Sequence, residues 1–83
     1  MYYVNWCPHC VNTKPEFWKL MNSLERKNVN TRMIDCEKNY KMCEESGIEG
    51  YPTFLLNRNG EVHTYEGERT TVQFLEYLRE MLQ

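Results

Sequence analysis

In NWCPHC, residues 5–10, Cys7 and Cys10 stand two residues apart, with Trp6 before them and Pro8 and His9 between. Two thiols at this spacing can hold a metal, close a structural disulfide, or exchange electrons as a dithiol–disulfide couple. Exchange needs a thiolate to attack a disulfide sulfur and a second thiol close by to resolve the mixed disulfide. A cysteine at a helix start supplies the first, because unpaired backbone N–H groups and the macrodipole favour negative charge there. Cys7 is therefore the candidate nucleophile and Cys10, one turn into the helix, the candidate resolving thiol. His9 adds a donor, and a cation when protonated. Lowering the Cys7 pKa favours the reduced form and makes the disulfide the stronger oxidant, by about 30 mV per 1.4 kcal/mol. A zinc site would have to recruit Cys36 and Cys43, which have six residues between them. Paired knuckles with two intervening residues are the usual zinc geometry.

The thiols need a helix start, and the surrounding periodicity predicts one. MYYVN (1–5) is aromatic and β-branched enough for a short strand. Val11, Phe17, Leu20, Met21 and Leu24 recur at helical spacing, which predicts a helix from Pro8 to Lys27, kinked at Pro15. NVNTRMIDC (28–36) reads as a second strand, and NYKMCEES (39–46) as a short helix stopped by Gly47. TFLLN (53–57) and EVHTYE (61–66) form an antiparallel hairpin through Asn59-Gly60. A last helix over 70–82 opens with a capping box of Thr70 and Gln73 and buries Phe74, Leu75, Leu78 and Leu82. The long first crossover makes the first two strands parallel.

Eighty-three residues, 1–83, suffice for one domain with a small core. A net charge of −2 with mixed Lys and Glu leaves no basic stripe for nucleic acid and no polybasic patch for anionic lipid. No apolar run reaches the ~20 residues of a membrane span. MYYVNWCP has neither a charged n-region nor an apolar h-region, so the chain as written is expected in the cytoplasm. A domain processed from a longer chain would instead suit the secretory pathway. A monomer with no nucleic-acid or membrane partner is expected.

YYVNWCPHCVNTKPEFWKL, GIEGYPTFLL and NRNGEVHTYEGER, in that order, resemble the thioredoxin fold, most of all the catalytic domains of protein disulfide isomerases. The resemblance implies an α/β, thioredoxin-like domain of glutaredoxin size, β-α-β-α-β-β-α, with a four-stranded mixed sheet. It implies a thiol-disulfide oxidoreductase acting through the Cys7-Pro8-His9-Cys10 dithiol on protein thiols and disulfides, as oxidase, isomerase or reductase. Pro52 is then cis, and Trp6, Tyr51, Pro52 and Thr53 form a groove that guides an extended polypeptide past Cys7. No metal or bound cofactor is implied beyond the redox disulfide. Glutathione would be a co-substrate and a reductase a partner if the chain were instead glutaredoxin-like. Against that alternative, no Gly-Gly follows the hairpin and no Thr-Val precedes Pro52. A zinc-bound or redox-silent peptide-binding module is the third reading. Cys36 and Cys43 are similar in place to a second cysteine pair that some disulfide-isomerase domains bridge, and either a disulfide or two semi-buried thiols fits them. The family's first strand and helix have no counterpart here, and its buried acid falls at about Met1. His63 reads as a plain strand residue, and Trp18 as core or helix surface.

Overall fold

The computed structural model describes residues 1–82. Its elements run β1 (Tyr2–Tyr3), α1 (Pro8–Ser23), β2 (Ile34–Asp35), α2 (Tyr40–Glu45), β3 (Phe54–Arg58), β4 (Glu61–Tyr65) and α3 (Thr71–Met81), in the order the sequence predicts. β1 and β2 are parallel, with Tyr2 opposite Ile34, because α1 carries the chain back across between them. β3 and β4 are antiparallel, with Phe54 opposite Tyr65 and Arg58 opposite Glu61. Asn59 (φ 52°) and Gly60 (φ 84°) turn the hairpin, a pair of positive φ values that Asn-Gly accepts at little steric cost.

The expected continuous four-stranded sheet is two two-stranded pairs, β1–β2 and β3–β4, that meet at a single antiparallel bridge. At that bridge Tyr2 N–H donates to Thr53 O at 2.8 Å and Thr53 N–H to Tyr2 O at 3.0 Å. On the side toward Trp6 and Tyr51 the bridge ends where one chain turns at Asn5-Trp6 and the other bends at the cis Tyr51-Pro52 bond. The expected strand over 28–36 is only Ile34–Asp35 long, paired with Tyr2–Tyr3: Met1 O accepts Ile34 N–H and Tyr3 O accepts Cys36 N–H, both at 2.8 Å.

α1 passes through Pro15 but ends at Ser23, not Lys27. Its last turn tightens: Leu24 N–H is shared between Leu20 O (3.1 Å) and Met21 O (3.2 Å), after which a turn takes over. The buried face of α1 is Cys10, Thr13, Phe17 and Leu20. Val11, expected on that face, lies one residue round from Cys10 and is 50% exposed. Leu82 falls past the end of α3 and is likewise exposed, whereas Phe74 is buried and Leu75 and Leu78 pack at the core's margin. Trp18 lies on the helix surface.

The core is an aromatic cluster between the hairpin and the two long helices. Phe74 of α3 lies 5.0 Å from Phe54, 5.1 Å from Tyr65 and 6.0 Å from Phe17 of α1, centroid to centroid. A polar clasp fixes where α3 starts: Thr71 N–H donates to Glu16 Oε1 (2.9 Å) and Thr71 Oγ1 to Glu16 O (2.9 Å). Thr70 Oγ1 caps the helix by accepting Gln73 N–H at 3.2 Å. The clasp holds Glu16 well ionised, chiefly through the Thr71 N–H.

Cys36 and Cys43 are joined by a disulfide, with Cα atoms 5.8 Å apart, which staples α2 to the end of β2. The bridge closes a loop of only seven residues' separation, so it constrains the unfolded chain less than a longer loop would. Cys36→Ser with Cys43→Ser is expected to lower stability by about 2–3 kcal/mol by the loop-closure relation, read as the shift in urea midpoint at constant slope. Exchange through Cys7 should persist in the folded double variant. Its loss there would make the second pair part of the electron path.

Candidate active site

Cys7 occupies the N-cap of α1 in extended conformation (φ −89°, ψ 117°), with Pro8 in the first turn, where a missing N–H is no loss. Cys10 is one turn in and fully enclosed, at 0% exposure against 7% for Cys7. Both are free thiols. The two ionise in opposite senses. The backbone N–H of Cys10 favours the Cys7 thiolate most, and the Cys10 thiol, the His9 N–H and the Arg69 guanidinium add to it, so Cys7 is held below the ordinary cysteine value. Burial, with the neighbouring Cys7 beside it, pushes Cys10 up to about 11 against the Val4 N–H and Arg69. His9 thus reaches Cys7 through its main chain, while its own carbonyl accepts Thr13 Oγ1 at 2.7 Å and its ring lies at the surface.

The second wall comes from the loop before β3. The Tyr51-Pro52 bond is cis, as the resemblance implies, and Tyr51 O accepts the Cys7 thiol at 3.6 Å. Thr53 supports this loop. Its main chain is taken by Tyr2 and its hydroxyl donates to Gly50 O at 2.6 Å. Trp6, 68% exposed, meets the Tyr51 ring edge-on at 6.1 Å. A hollow of about 290 Å³ runs from Pro52 and Thr53 to Thr64, Glu66 and Arg69. A larger hollow, about 780 Å³, lies between the aromatic core and residues 28–32, and neither free cysteine lines it. Open space is therefore a poorer guide to the chemistry here than the two thiols. Gly67 keeps the loop of Arg69 in place: a Cβ there would come within 2.7 Å of Tyr65 Oη, which donates to Glu68 O.

The structure brings Trp6 and Cys7, at the start of α1 with Pro8, His9 and Cys10, against Tyr51 of the cis-Pro loop, which runs on through Pro52 to Thr53. His63 lies apart on β4 beside Glu61 (3.4 Å). The disulfide takes both thiols that a four-cysteine zinc site would need. Sequence reasoning missed Arg69, Asn5 and Asp35. Asp35 is a charged residue only 8% exposed, and its place at the end of a strand directly after Met33 and Ile34 was its sequence signal. Asn5 and Arg69 sit in turns, where no period marks a residue as facing the site.

Residues 1–80 match the Thioredoxin family model. The chain belongs to the thioredoxin family. Relatives include the protein disulfide-isomerase of Saccharomyces cerevisiae, 34% identical over 80 residues, a span of 93% of this chain and 15% of that protein. Protein disulfide isomerase-like 2-1 of Oryza sativa subsp. japonica is 36% identical over 80 residues, 93% of this chain and 22% of that protein. The first thioredoxin domain of mouse protein disulfide-isomerase A4 superposes with a TM-score of 0.81 at 27% identity, covering 99% of this chain and 60% of that one. Human ERp44 shares the fold, with a TM-score of 0.91 at 24% identity over 99% of this chain and 26% of that one. This thioredoxin-family domain thus spans a small part of the curated relatives it matches, and the motifs that resembled disulfide-isomerase domains lie within the matched span.

Proposed function

We propose that this domain is a thiol-disulfide oxidoreductase acting on protein substrates through Cys7 and Cys10. The observation that carries the reading is the placement of two free thiols at one helix start, one favoured as thiolate and the other fully enclosed and protonated. In the reducing direction, the Cys7 thiolate attacks a substrate disulfide, one substrate sulfur leaves as thiolate, and Cys7 carries the other. As thiolate and then as mixed disulfide Cys7 no longer donates to Tyr51 O, which frees that carbonyl for an extended peptide beside the cis-Pro loop. The charge and hydrogen bond by which Cys7 raised the Cys10 pKa vanish in the same step, so Cys10 loses its proton more readily. Cys10 attacks Cys7, the second substrate thiolate departs, and Cys7–Cys10 is left oxidised. Two electrons pass to the substrate. Oxidation of substrate dithiols is the reverse, and isomerisation stops at the mixed disulfide and returns it.

The Cys36–Cys43 bridge suits an oxidising compartment of the secretory pathway better than the cytoplasm expected of the sequence as written. Glutathione as co-substrate is the second reading, favoured only by the room beside Arg69. The test compares exchange with a peptide disulfide and with a glutathione mixed disulfide, for wild type and Cys7→Ser. Peptide exchange that is faster in the wild type and falls to the uncatalysed rate in Cys7→Ser is the expected result. Faster turnover of the glutathione mixed disulfide would put the glutaredoxin-like reading in its place, and full activity in Cys7→Ser would remove Cys7 from the reaction.

A further inference from the structure

Trp6 is 68% exposed, yet the side chain before it is held on two sides. Asn5 Nδ2 donates to Asp35 Oδ2 at 3.2 Å, and Asn5 Oδ1 accepts from Lys14 Nζ at 2.5 Å. One amide therefore bridges β2 and α1, using its donor on the carboxylate and its acceptor on the ammonium. Each flank is itself fixed. Asp35 Oδ1 accepts Glu37 N–H at 2.9 Å, and Asp35 O accepts Asn39 N–H at 2.9 Å and Asn39 Nδ2 at 3.0 Å. Lys14 Nζ also sits over the Tyr3 ring, 4.5 Å from its centroid. Asp35 is nearly enclosed, and an enclosed carboxylate is retained only where its hydrogen bonds are met. None of these hydrogen bonds is to a thiol. What they hold is the two-residue turn Asn5-Trp6 that leads into Cys7.

Building on the proposed protein-directed exchange, we propose that Asn5 is a positioning residue for substrate recognition: clamped between Asp35 and Lys14, it fixes Trp6 as the anchor for an apolar or aromatic residue beside the substrate cysteine. A large ring left in water gains little until a partner covers it, and a fixed ring loses less entropy on binding than a mobile one. Trp6 and Tyr51, edge to face, offer such a partner two rings at right angles next to Cys7. The clamp acts on recognition and leaves the acidity of Cys7 to the helix start.

The test uses Asn5→Ala, Asn5→Asp, and Asn5→Asp combined with Asp35→Asn. Asn5→Asp keeps the acceptor for Lys14 but sets a second carboxylate against Asp35. The double variant restores every bond with the polarity exchanged, since the amide at position 35 still accepts Glu37 N–H and now donates to position 5. A peptide disulfide with an aromatic residue beside its cysteine is compared with a small aromatic disulfide that needs only Cys7. Trp6 emission anisotropy is read in a Trp18→Phe background. Asn5→Ala and Asn5→Asp are expected to raise KM for the peptide about tenfold, with kcat and small-disulfide exchange held, and to lower the Trp6 anisotropy. The double variant should restore both. Equal losses on both substrates, an unchanged peptide KM in the single variants, or a folded double variant that stays impaired would overturn the clamp. A wild type that exchanges the small disulfide but not the peptide would overturn the protein-directed reading, while the anisotropy still reports whether the clamp orders Trp6.

Discussion

Cys10→Ser is expected to halt the reaction with substrate bound to Cys7. The first attack needs only the Cys7 thiolate, and everything that favours it, from the backbone N–H groups at the helix start to Arg69, survives the substitution apart from the Cys10 thiol's own hydrogen bond. Release needs a second sulfur, and the serine hydroxyl cannot act as that nucleophile. Cys10 is fully enclosed, so external thiols reach the mixed disulfide only from the Cys7 side, and resolution should be slow. Turnover should therefore fall by orders of magnitude, while a covalent adduct of substrate mass accumulates and disappears on reduction. Expressed in the native host, the variant should collect proteins, because the proposed substrate is an extended polypeptide lying along Trp6, Tyr51 and the loop at Pro52. Adding Cys7→Ser should abolish every adduct. Intact-mass analysis that finds glutathione alone on Cys7 would reassign the substrate, and adducts surviving Cys7→Ser would reassign the nucleophile.

The parts of this molecule legible in its sequence are those with a period or a named punctuation. α3 was readable because Phe74, Leu75 and Leu78 recur at helical spacing behind a capping Thr70, and the hairpin because Asn59-Gly60 allows few turns. Cys7 and Cys10 were readable as a candidate pair because two thiols two residues apart at a helix start can attack and resolve a disulfide. The errors cluster where a neighbour, not the local sequence, decides. β2 is only as long as its pairing with Tyr2 and Tyr3, and Val11 turns outward because the buried face of α1 is set by Cys10 and Phe17. Asn5, Asp35 and Arg69 reach the site from three separate segments, 30 and 34 residues apart in sequence. Only the closed fold brings an amide in a turn against a carboxylate in a strand.

Alkylation of Cys7 is expected to rise with pH through a midpoint below the free-thiol value of about 8.5, while Cys10 stays unmodified until near pH 11. The rate follows the thiolate fraction, so the Cys7 N-cap position should appear directly as rapid reaction at neutral pH. The same shifts fix how the reduced protein's stability depends on pH. Cys7 is depressed in the folded state: its contribution is fully present above the unfolded cysteine value and is lost as pH falls through the lowered one. Cys10 is raised: its contribution is present below the unfolded value and is lost as pH climbs toward about 11. Reduced protein should accordingly gain stability, relative to the Cys7–Cys10 disulfide form, as pH rises from acid through the Cys7 pKa, and lose it again at strongly alkaline pH. Thermal unfolding of the two redox forms across that range measures the difference. His9→Ala divides the cause further. The substitution keeps the His9 N–H that favours the thiolate and removes only the imidazole. A higher Cys7 midpoint and a less oxidising disulfide in His9→Ala are expected if the ring's charge acts beside the backbone. An unchanged midpoint and potential would leave the tuning to the N–H groups and Arg69. A wild-type profile centred at the free-thiol value would remove the thiolate preference on which the proposed exchange rests.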